Sequence, residues 1–298
     1  MKGMFVMITD YNGLKTVVTG AANGIGKSFA LRFARLGADV IVADIHGDEA
    51  EIVADEIRAM GREAVAVAAD VSLKTECKKI FDVCMDTFGR CDILVNNAGV
   101  STPGDVWNIP EQDIRWVYET NVYSHWYMMG YFIPQMEAQK SHCQIINVCS
   151  IAGLITSPAS PAYFSSKHAA VALSEVVYKQ MKDRKSDIDI SVFCPGFVAT
   201  EMWKTDRHRP ERYAMTDDEY YKSEWWNHMA KVSKHVTENG APLEETMDKV
   251  FGMLGQECFY LLTHDRYDAL LRAQGVWVAD KVRPVELSDV GTTAQLNV

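Results

Sequence analysis

The sequence has no apolar run as long as the roughly 18 residues that a membrane-spanning helix needs. The nearest candidate, the stretch 126–136, is too short and contains Pro134. The apolar patch MFVMI near the N-terminus is also brief and is soon followed by Asp10, so we identify no export signal. These absences predict a cytoplasmic protein with no membrane partner.

Positive charge is also scarce. The chain of 298 residues carries 40 acidic and 30 basic side chains, which gives a net charge of −10. Nucleic acids and anionic membranes are both bound through positive surfaces. The composition therefore predicts no nucleic-acid partner.

Metal-binding and dithiol motifs are absent as well. The seven cysteines are scattered, and the sequence contains no Cys-x-x-Cys and no His-Glu-x-x-His. Cys77, Cys84 and Cys91 lie seven residues apart, which on a helix indicates small residues that face the core. An odd number of cysteines without an export signal fits a reducing cytoplasm. We predict no metal site.

What the sequence does contain is an alternation of apolar strands and amphipathic helices. Continuous Val, Ile and Ala runs are typical of strands covered on both faces, and strand–helix alternation builds a parallel sheet. We predict one α/β domain over residues 1–298, a Rossmann-type doubly wound parallel sheet of about seven strands with helices on both faces. The predicted strands are 15–20, 39–45, 63–71, 92–99, 144–150, 189–196 and 259–263.

Three stretches lie outside this regular pattern. Residues 1–13 form an N-terminal extension, and the polar residues 288–298 are expected to be a flexible tail. Between residues 200 and 240 the periodicity breaks down, and charged side chains mix with Trp and Tyr. Helical spacing of apolar residues resumes after Pro242.

A glycine-rich turn, TGAANGIG at residues 19–26, joins the first predicted strand to the first helix. The spacing of Gly20, Gly24 and Gly26 is not the usual Gly-x-Gly-x-x-Gly, and as a bare pattern it is weak because many tight turns carry three glycines. Between a strand and a helix, however, it favours a loop that lets a pyrophosphate approach the backbone at the helix N-terminus.

An acidic residue ends the second predicted strand. Asp44 lies close to the roughly 20-residue offset at which a carboxylate meets the adenosine ribose of a dinucleotide. Its charge would repel a 2′-phosphate, Ala22 and Asn23 bring no positive charge to one, and Lys27 and His46 are poorly placed to do so. The pattern favours NAD over NADP. The alternative is an aspartate that only caps a turn or helix.

A tyrosine precedes a lysine by four residues at three places. On a helix this offset puts both side chains on one face, one turn apart. Spacing alone does not choose between the pairs, and a surface pairing is the default interpretation of each. Small residues surround the second pair, in PAYFSSKHAA. The pairs are Tyr11–Lys15, Tyr163–Lys167 and Tyr178–Lys182.

With these landmarks the chain resembles the short-chain dehydrogenase/reductase family, in its compact single-domain branch, from about residue 15 to residue 200. Ser150 lies 13 residues before Tyr163, a separation typical of the family. The resemblance selects Tyr163–Lys167 from the three pairs. The shared elements, in order, are TGAANGIG, Asp70-Val71, NNAG at 96–99, Asn121, Ser150, Tyr163 with Lys167, and Pro195-Gly196 leading to Thr200.

The resemblance implies a catalytic group of Asn121, Ser150, Tyr163 and Lys167. Moving a hydride between nicotinamide and a carbonyl carbon requires a proton on the oxygen, which Tyr163 would exchange as general acid and base. A free phenol ionises only near pH 10, and a neighbouring lysine cation stabilises the phenolate. Lys167 would also hold the nicotinamide ribose, Ser150 would donate to the substrate oxygen, and Asn121 would order a water that links Lys167 to solvent.

The resemblance also completes the cofactor site. Asp70 and Val71 would meet the adenine, residues 96–99 would line the ribose side or merely tie strands together, and Val198 and Thr200 would contact the carboxamide. Thr200 is alternatively a cap of the next helix. The predicted NAD(H) contacts are Gly20, Asn23, Gly24, Ile25, Gly26, Asp44, Asp70, Val71, Asn96, Ala98, Gly99, Tyr163, Lys167, Pro195, Gly196, Val198 and Thr200.

The C-terminal part departs from the family pattern. Compact members often end in a short glycine-containing strand that pairs subunits, whereas this chain ends in HDRYDALLRAQGVWVADKVRP and a polar tail. We expect a homodimer or homotetramer, and a dimer through the helices around 122–136 and 162–181 is consistent with the sequence.

Residues 200–240 occupy the place of the family's substrate-binding loop. Their apolar side chains suit a wide, ring-shaped alcohol or ketone, with Trp107 as the opposite wall; alternatively they pack against each other or face a partner subunit. We expect a hydroxysteroid dehydrogenase acting on a steroid or bile acid. The side chains are Met202, Trp203, Met215, Trp225, Trp226 and Met229.

Other functions fit less well. A sugar alcohol would need more polar contacts, and an acyl carrier protein is an acidic partner for a chain of net charge −10. A non-catalytic NAD(H)-binding sensor would be marked by loss of the tyrosine or lysine, and both are present. A serine hydrolase is excluded because the sequence has no Gly-x-Ser-x-Gly.

Overall fold

A computed structural model describes residues 8–215 and 219–281. At the centre of these residues lies a parallel sheet of seven strands in the order β3-β2-β1-β4-β5-β6-β7. The strands are β1 (Lys15–Thr19), β2 (Asp39–Asp44), β3 (Ala64–Ala68), β4 (Ile93–Asn96), β5 (Cys143–Val148), β6 (Ile188–Phe193) and β7 (Tyr260–Leu261). The predicted Rossmann-type α/β fold is confirmed, and β7 is shorter than the sequence indicated.

The helices connect these strands and continue past them. The α-helices of the described residues are α1 (Gly24–Arg35), α2 (Gly47–Ala59), α3 (Lys74–Phe88), α4 (Glu111–Tyr118), α5 (Ser124–Gln139), α6 (Pro161–Arg184), α7 (Glu219–Lys222), α8 (Glu224–Glu238), α9 (Leu243–Leu254) and α10 (Asp268–Asp280). A π-helical turn, Glu119–Tyr123, joins α4 to α5. Short 3-10 turns are Ile151–Gly153, Met202–His208, Glu211–Tyr213 and Asp265–Tyr267.

Helices cover both faces of the sheet because the strands are apolar on both. Every residue of β2 and of β5 is buried, as expected for strands between two helical layers. On one face Phe29 and Phe33 of α1 pack against Phe251 of α9. On the other face Ile80 of α3 and Phe132 of α5 belong to a second buried cluster.

The strand order fixes where a ligand can bind. β1 pairs with β2 on one side and with β4 on the other. The chain therefore builds the sheet outward from β1 to β3 in one direction, then returns to β4 and continues in the opposite direction. Open parallel sheets bind ligands in the crevice at such a reversal, outside the carboxyl ends of the strands. The glycine-rich turn follows β1 at this edge.

The segment 200–240 is not the irregular stretch that the sequence indicated. Apart from residues 216–218, which lie outside the described part, it consists mainly of two 3-10 turns and the helices α7 and α8. Ser223 caps α8 by accepting a hydrogen bond from the N–H of Trp226. Helix α8 buries only Trp226 and Thr237. Trp225, Met229, Val232 and Val236 recur at helical spacing, a signal that could have indicated this helix.

The two ends of the chain differ in how far they can be described. Tyr11, in the described part of the N-terminal extension, is buried with its ring 5.3 Å from that of Phe33. The tail 288–298 lies outside the described residues.

Over residues 8–215 and 219–281, no helix combines the length and apolar character needed to cross a bilayer. The same residues hold no cluster of three His, Cys, Asp or Glu side chains suited to a metal ion.

Candidate active site

The glycine-rich turn has a backbone that requires glycine. Gly20 and Gly24 have φ angles of +61° and +54°, a region that residues with a Cβ rarely adopt. A Cβ on Gly26 would overlap the carbonyl oxygen of Gly20. Asn23 is the N-cap residue of α1, and the first turn of that helix has no acidic side chain. The helix N-terminus therefore suits a phosphate, with Ile25 packed on the core behind it.

Asp44 connects the end of β2 to this turn. Its buried carboxylate accepts hydrogen bonds from the N–H groups of Ala22 and His46, both at 3.0 Å. A carboxylate has about four acceptor positions, so two such bonds leave capacity for ribose hydroxyls. Asp44 thus fills the turn-capping role and still fits the predicted ribose contact.

The NNAG residues after β4 hold three strands together. The amide of Asn96 donates to Oδ1 of Asn147 at 2.8 Å. The amide of Asn97 donates to the carbonyl oxygens of Thr19 and Gly20, both at 2.9 Å. The strand-tying role of Asn96 is therefore present. Asn97, which the sequence analysis placed only within the range 96–99, supports the glycine-rich turn directly.

Tyr163 and Lys167 lie on one face of the first turns of α6. Nζ of Lys167 is 5.7 Å from the centre of the Tyr163 ring and donates to the carbonyl oxygen of Val148 at 3.2 Å. The lysine is buried, whereas Tyr163 is half-buried. Burial excludes the water that would screen the ammonium charge. The phenol therefore stands beside a fixed cation and keeps access to the crevice.

The other two Tyr–Lys pairs lie elsewhere. Lys15 forms an ion pair with Asp39 at 2.5 Å, next to the start of β2. Lys182 lies 3.8 Å from Asp189, near the start of β6. Parallel strands start at the edge of the sheet opposite to the carboxyl ends, so neither pair reaches the crevice. The choice of Tyr163–Lys167 fits the topology.

Ser150 and Asn121 reach the same point from two further elements. Oγ of Ser150, just after β5, accepts the N–H of Ala152 at 3.1 Å and keeps its own proton for another acceptor. In the π-helical turn, Asn121 donates to the carbonyl oxygen of Val100 at 2.9 Å and to Oγ of Ser166 at 3.1 Å. These two bonds use both amide protons, so the side chain of Asn121 has no donor left for a water.

Gly99 brings the backbone after β4 close to these groups. A Cβ on Gly99 would lie 3.2 Å from Nζ of Lys167 and 3.4 Å from Oδ1 of Asn121. Contacts this short force a neighbour to move. The structure thus brings together the four residues predicted as the catalytic group, at the carboxyl ends of β4 and β5.

Residues 195–200 form the wall after β6. The carbonyl oxygen of Pro195 accepts the N–H of Ile151 at 2.9 Å, and the N–H of Gly196 donates to Nδ1 of His264 at 3.2 Å. Val198 pairs with Ala241 in an isolated parallel bridge. Oγ1 of Thr200 accepts a long 3.4 Å bond from the N–H of Met202, at the start of the next 3-10 turn, whose N-cap is Glu201. A Cβ on Gly24 would lie 3.6 Å from Cγ2 of Thr200.

The residues 201–213, here called the strap, cross the crevice to the side predicted for adenosine. Nδ1 of His208 lies 2.9 Å from Nε2 of His46. Arg212 forms an ion pair of 2.7 Å with Asp70, which precedes the buried Val71. Burial, followed by the charge of Arg207, lowers the pKa of His208 to about 4. No local pattern in the sequence indicates these contacts.

A buried ion pair fixes the strap to α4. Arg209 contacts Asp113 at 2.6 Å, with side chains that are 4% and 0% exposed, and its guanidinium lies 4.3 Å from the centre of the Trp116 ring. The hydroxyl of Tyr221 donates to the same carboxylate at 2.8 Å. Burial raises the pKa of Asp113, and Arg209 opposes this effect. The strap is therefore held firmly at its centre.

The aromatic residues of segment 200–240 mostly contact each other or lysines. Trp226 is buried with its ring 5.4 Å from Tyr220 and 5.1 Å from Tyr221, and Trp203 has Nζ of Lys234 4.8 Å above its ring. Trp226 is thus a packing residue, as one of the alternatives held. Trp107, predicted as the opposite wall, is 76% exposed, and its role stays a prediction.

These features fit a dinucleotide. The glycine-rich turn and the start of α1 suit the pyrophosphate, Asp44 suits the adenosine ribose, and Lys167 reaches the carboxyl end of β5 beside Tyr163. The positive side chains near Asp44 are engaged with protein groups, as in the 3.2 Å ion pair of Arg207 with Glu49. The site is therefore better suited to a ribose hydroxyl than to a 2′-phosphate.

Known proteins with related sequences support this picture. A family model described as short chain dehydrogenase matches residues 15–211. The CLA biosynthesis dehydrogenase/reductase of Lactiplantibacillus plantarum is 37% identical over 88% of this chain and 92% of its own length. The 7alpha-hydroxysteroid dehydrogenase of Escherichia coli K12 is 34% identical over 65% of this chain and 74% of its own length.

Solved structures agree with the sequence relatives. A short chain dehydrogenase/reductase from Burkholderia phymatum, solved in complex with NAD, superposes with a TM-score of 0.89 at 28% identity. The match covers 94% of this chain and 99% of that one. A hydroxysteroid dehydrogenase from Escherichia coli matches 65% of this chain and 79% of its own, with a TM-score of 0.59 at 33% identity.

Proposed function

Since the chain belongs to the short-chain dehydrogenase/reductase family and is an NAD-dependent oxidoreductase, we propose that it interconverts a secondary alcohol and a ketone, with Tyr163 as general acid and base. One observation carries the proposal. The buried ammonium of Lys167 lies 5.7 Å from the Tyr163 ring at the carboxyl edge of the sheet. A cation held there stabilises a phenolate that can accept the proton of an alcohol.

The neighbouring residues take supporting roles in this proposal. When bound, the nicotinamide ring would supply the carbon that accepts or donates the hydride. Ser150 donates its hydroxyl proton to the substrate oxygen, where negative charge develops. Lys167 is held by the carbonyl oxygen of Val148 and keeps two further N–H donors, one of which binds the nicotinamide ribose. Asn121 fixes the chain after β4 against α6.

The cofactor contacts predicted from the sequence are proposed in the same way. Gly20, Gly24 and Gly26, with the start of α1, hold the pyrophosphate, and Asp44 holds the adenosine ribose. Val71 would contact the adenine, and Asp70 pairs with Arg212 of the strap. Val198 and Thr200 line the nicotinamide side. We propose that the strap covers the adenosine half of the cofactor.

For the substrate we propose an apolar ring-shaped molecule, and a hydroxysteroid or bile acid is our first choice. Half-buried aromatic and Met side chains beside the crevice support this class, and so does the Escherichia coli relative named a 7alpha-hydroxysteroid dehydrogenase. The second candidate is another alcohol or ketone. It is favoured because the relative named a CLA biosynthesis dehydrogenase/reductase matches a larger share of the chain.

We further propose that the protein is a homodimer or homotetramer. Trp126 on α5 is 61% exposed, and Tyr123 of the π-helical turn and Val176 of α6 also expose large parts of their side chains. Burying such side chains between two copies would stabilise a dimer through α5 and α6. The predicted cytoplasmic location stays a prediction.

A substrate panel tests the proposed reaction. Steroids, bile acids, sugar alcohols and short-chain alcohols are offered with NAD, and NADH absorbance is followed. We expect turnover with secondary alcohols, fastest with ring-shaped ones. Trp203→Ala or Trp225→Ala should raise KM more for large rings than for small alcohols. An absence of turnover across the panel would favour a sensor, and equal effects on all substrates would assign both tryptophans to packing.

A further inference from the structure

His125 of α5 is the least explained polar side chain of the core. It is 1% exposed, and neither ring nitrogen has a hydrogen-bond partner among residues 8–215 and 219–281. Buried polar atoms in proteins are almost always paired with protein or with ordered water. An apolar side chain would fill the same volume without this loss. The imidazole therefore indicates a small polar ligand inside the protein.

The position of His125 relates it to the catalytic group. It lies one helical turn after Asn121 and one turn before Met129, on the same face of the helix. Asn121 contacts Ser166 on α6, and Met129 contacts the amide of Asn147 on β5 at 3.5 Å. His125 thus stands between two points at which the π-helical turn and α5 touch elements of the site.

Further buried polar side chains lie beside Met129. The amide of Asn147 donates to Oγ of Ser174 at 2.8 Å, and Oδ1 of the same residue accepts from Asn96. Oδ1 of Asn96 is buried and, within the described part of the chain, also lacks a partner. Polar groups with unused capacity therefore lie from α5 to the centre of the sheet, which is where a buried water can make its two to four bonds.

The protonation state of His125 follows from its surroundings. Burial, followed by the charge of Lys167, lowers the pKa of His125 to about 3. Lys167 is the charged group whose field acts on the ring, and it lies on α6. The imidazole is neutral at physiological pH and so offers one N–H donor and one acceptor nitrogen. An acceptor nitrogen is what a water bound to an ammonium needs.

We propose that His125 is a positioning residue of the proton path, a role that rests on the proposed function. Its acceptor nitrogen binds a buried water that takes an N–H hydrogen bond from Lys167. The water keeps Lys167 solvated and charged, and so keeps Tyr163 ionisable, while hydride transfer proceeds.

Steady-state kinetics of the full-length enzyme test this role. For His125→Leu we expect kcat near pH 7 to fall about tenfold, less than the roughly 10²–10⁴-fold worth of general acid–base catalysis itself. The rise of activity with pH should shift to higher pH, whereas KM for NAD should stay within about twofold, because no cofactor contact is lost. His125→Gln, which can hold a water, should restore most of kcat and the original pH profile.

Met129→Leu is the matched control, since it alters the same buried face without removing a nitrogen. If His125→Leu and Met129→Leu lower stability alike and leave the pH profile unchanged, His125 is structural and the proposal fails. Should His125→Leu not fold, a high-resolution crystal structure of the wild-type enzyme decides. A water bonded to the imidazole supports the role, and an imidazole without one overturns it. Wild-type enzyme that turns over no alcohol would instead refute the proposed function.

Discussion

Replacing Arg209 by Met tests how the strap is held over the crevice. The substitution keeps most of the aliphatic stem and removes the charge that faces Asp113 at 2.6 Å. The carboxylate would stay buried with the hydroxyl of Tyr221 as its remaining partner. The chain provides a matched control in Arg207, two residues earlier in the strap. Arg207 pairs with Glu49 at 3.2 Å, with side chains that are 30% and 42% exposed.

The two arginines should differ in their contribution to stability. Breaking a buried ion pair by removing one partner costs about 3–5 kcal/mol, and the stacking of Arg209 on Trp116 adds to this loss. A solvent-exposed pair contributes about 0–1 kcal/mol. We therefore expect Arg209→Met to cost at least about 2 kcal/mol more than Arg207→Met.

The pH dependence gives a second check on the same variant. Burial raises the pKa of Asp113, and in the wild type Arg209 opposes this effect. Without Arg209 the folded state favours the neutral carboxyl, and an acid whose folded pKa is raised gains stability as pH falls. The destabilisation caused by Arg209→Met should therefore become smaller as pH falls.

Urea unfolding, followed by tryptophan fluorescence, measures the global loss of stability. Amide hydrogen exchange across residues 201–213 measures local opening, because the strap can detach before the sheet unfolds. Similar losses in the two arginine variants, or unchanged exchange in Arg209→Met, would contradict the buried-pair reasoning.

Three further predictions concern the cofactor side. Asp44→Ala should loosen the turn held through Ala22 and shift the preference between NAD and NADP by about tenfold, or 1.4 kcal/mol, toward NADP; an unchanged ratio of kcat/KM values would exclude Asp44 as the discriminator. Gly26→Ala should abolish NAD binding in a calorimetric titration, because its Cβ overlaps Gly20; normal affinity would refute this. Because burial lowers the pKa of His208 to about 4, protonation opposes docking of the strap, and strap protection in hydrogen exchange should fall as pH drops below about 6.5. His208→Asn should remove that pH dependence.

The sheet could be predicted because its determinants are local. Continuous apolar runs such as 40–43 and a glycine-rich turn between strand and helix are visible within a few residues. The choice of Tyr163–Lys167 among three pairs needed the ordered set of motifs, since all three have the same spacing. The structure explains that choice by topology, because only this pair stands at the carboxyl ends of the strands.

The strap could not be predicted because its contacts join residues far apart in the chain. Arg212 is 142 positions from Asp70, and His208 is 162 positions from His46. No periodicity marks such contacts, and charged side chains in a segment without an apolar stripe indicate a solvated surface. The particular roles of Asn97 and His125 could not be predicted for another reason. Their roles depend on hydrogen bonds made, or left unmade, in the folded core.

The central claim is that the Lys167 ammonium makes the Tyr163 hydroxyl a working acid and base. Its most direct test is the alcohol-dependent formation of NADH by Tyr163→Phe, measured beside NADH binding by fluorescence. Tyr178→Phe is the control, because it removes the hydroxyl of another Tyr–Lys pair on the same helix, with Nζ of Lys182 5.2 Å from the ring. We predict that Tyr163→Phe lowers kcat by at least about 10²-fold with NADH binding preserved, and that Tyr178→Phe behaves like the wild type. Comparable turnover in the two variants would contradict the claim.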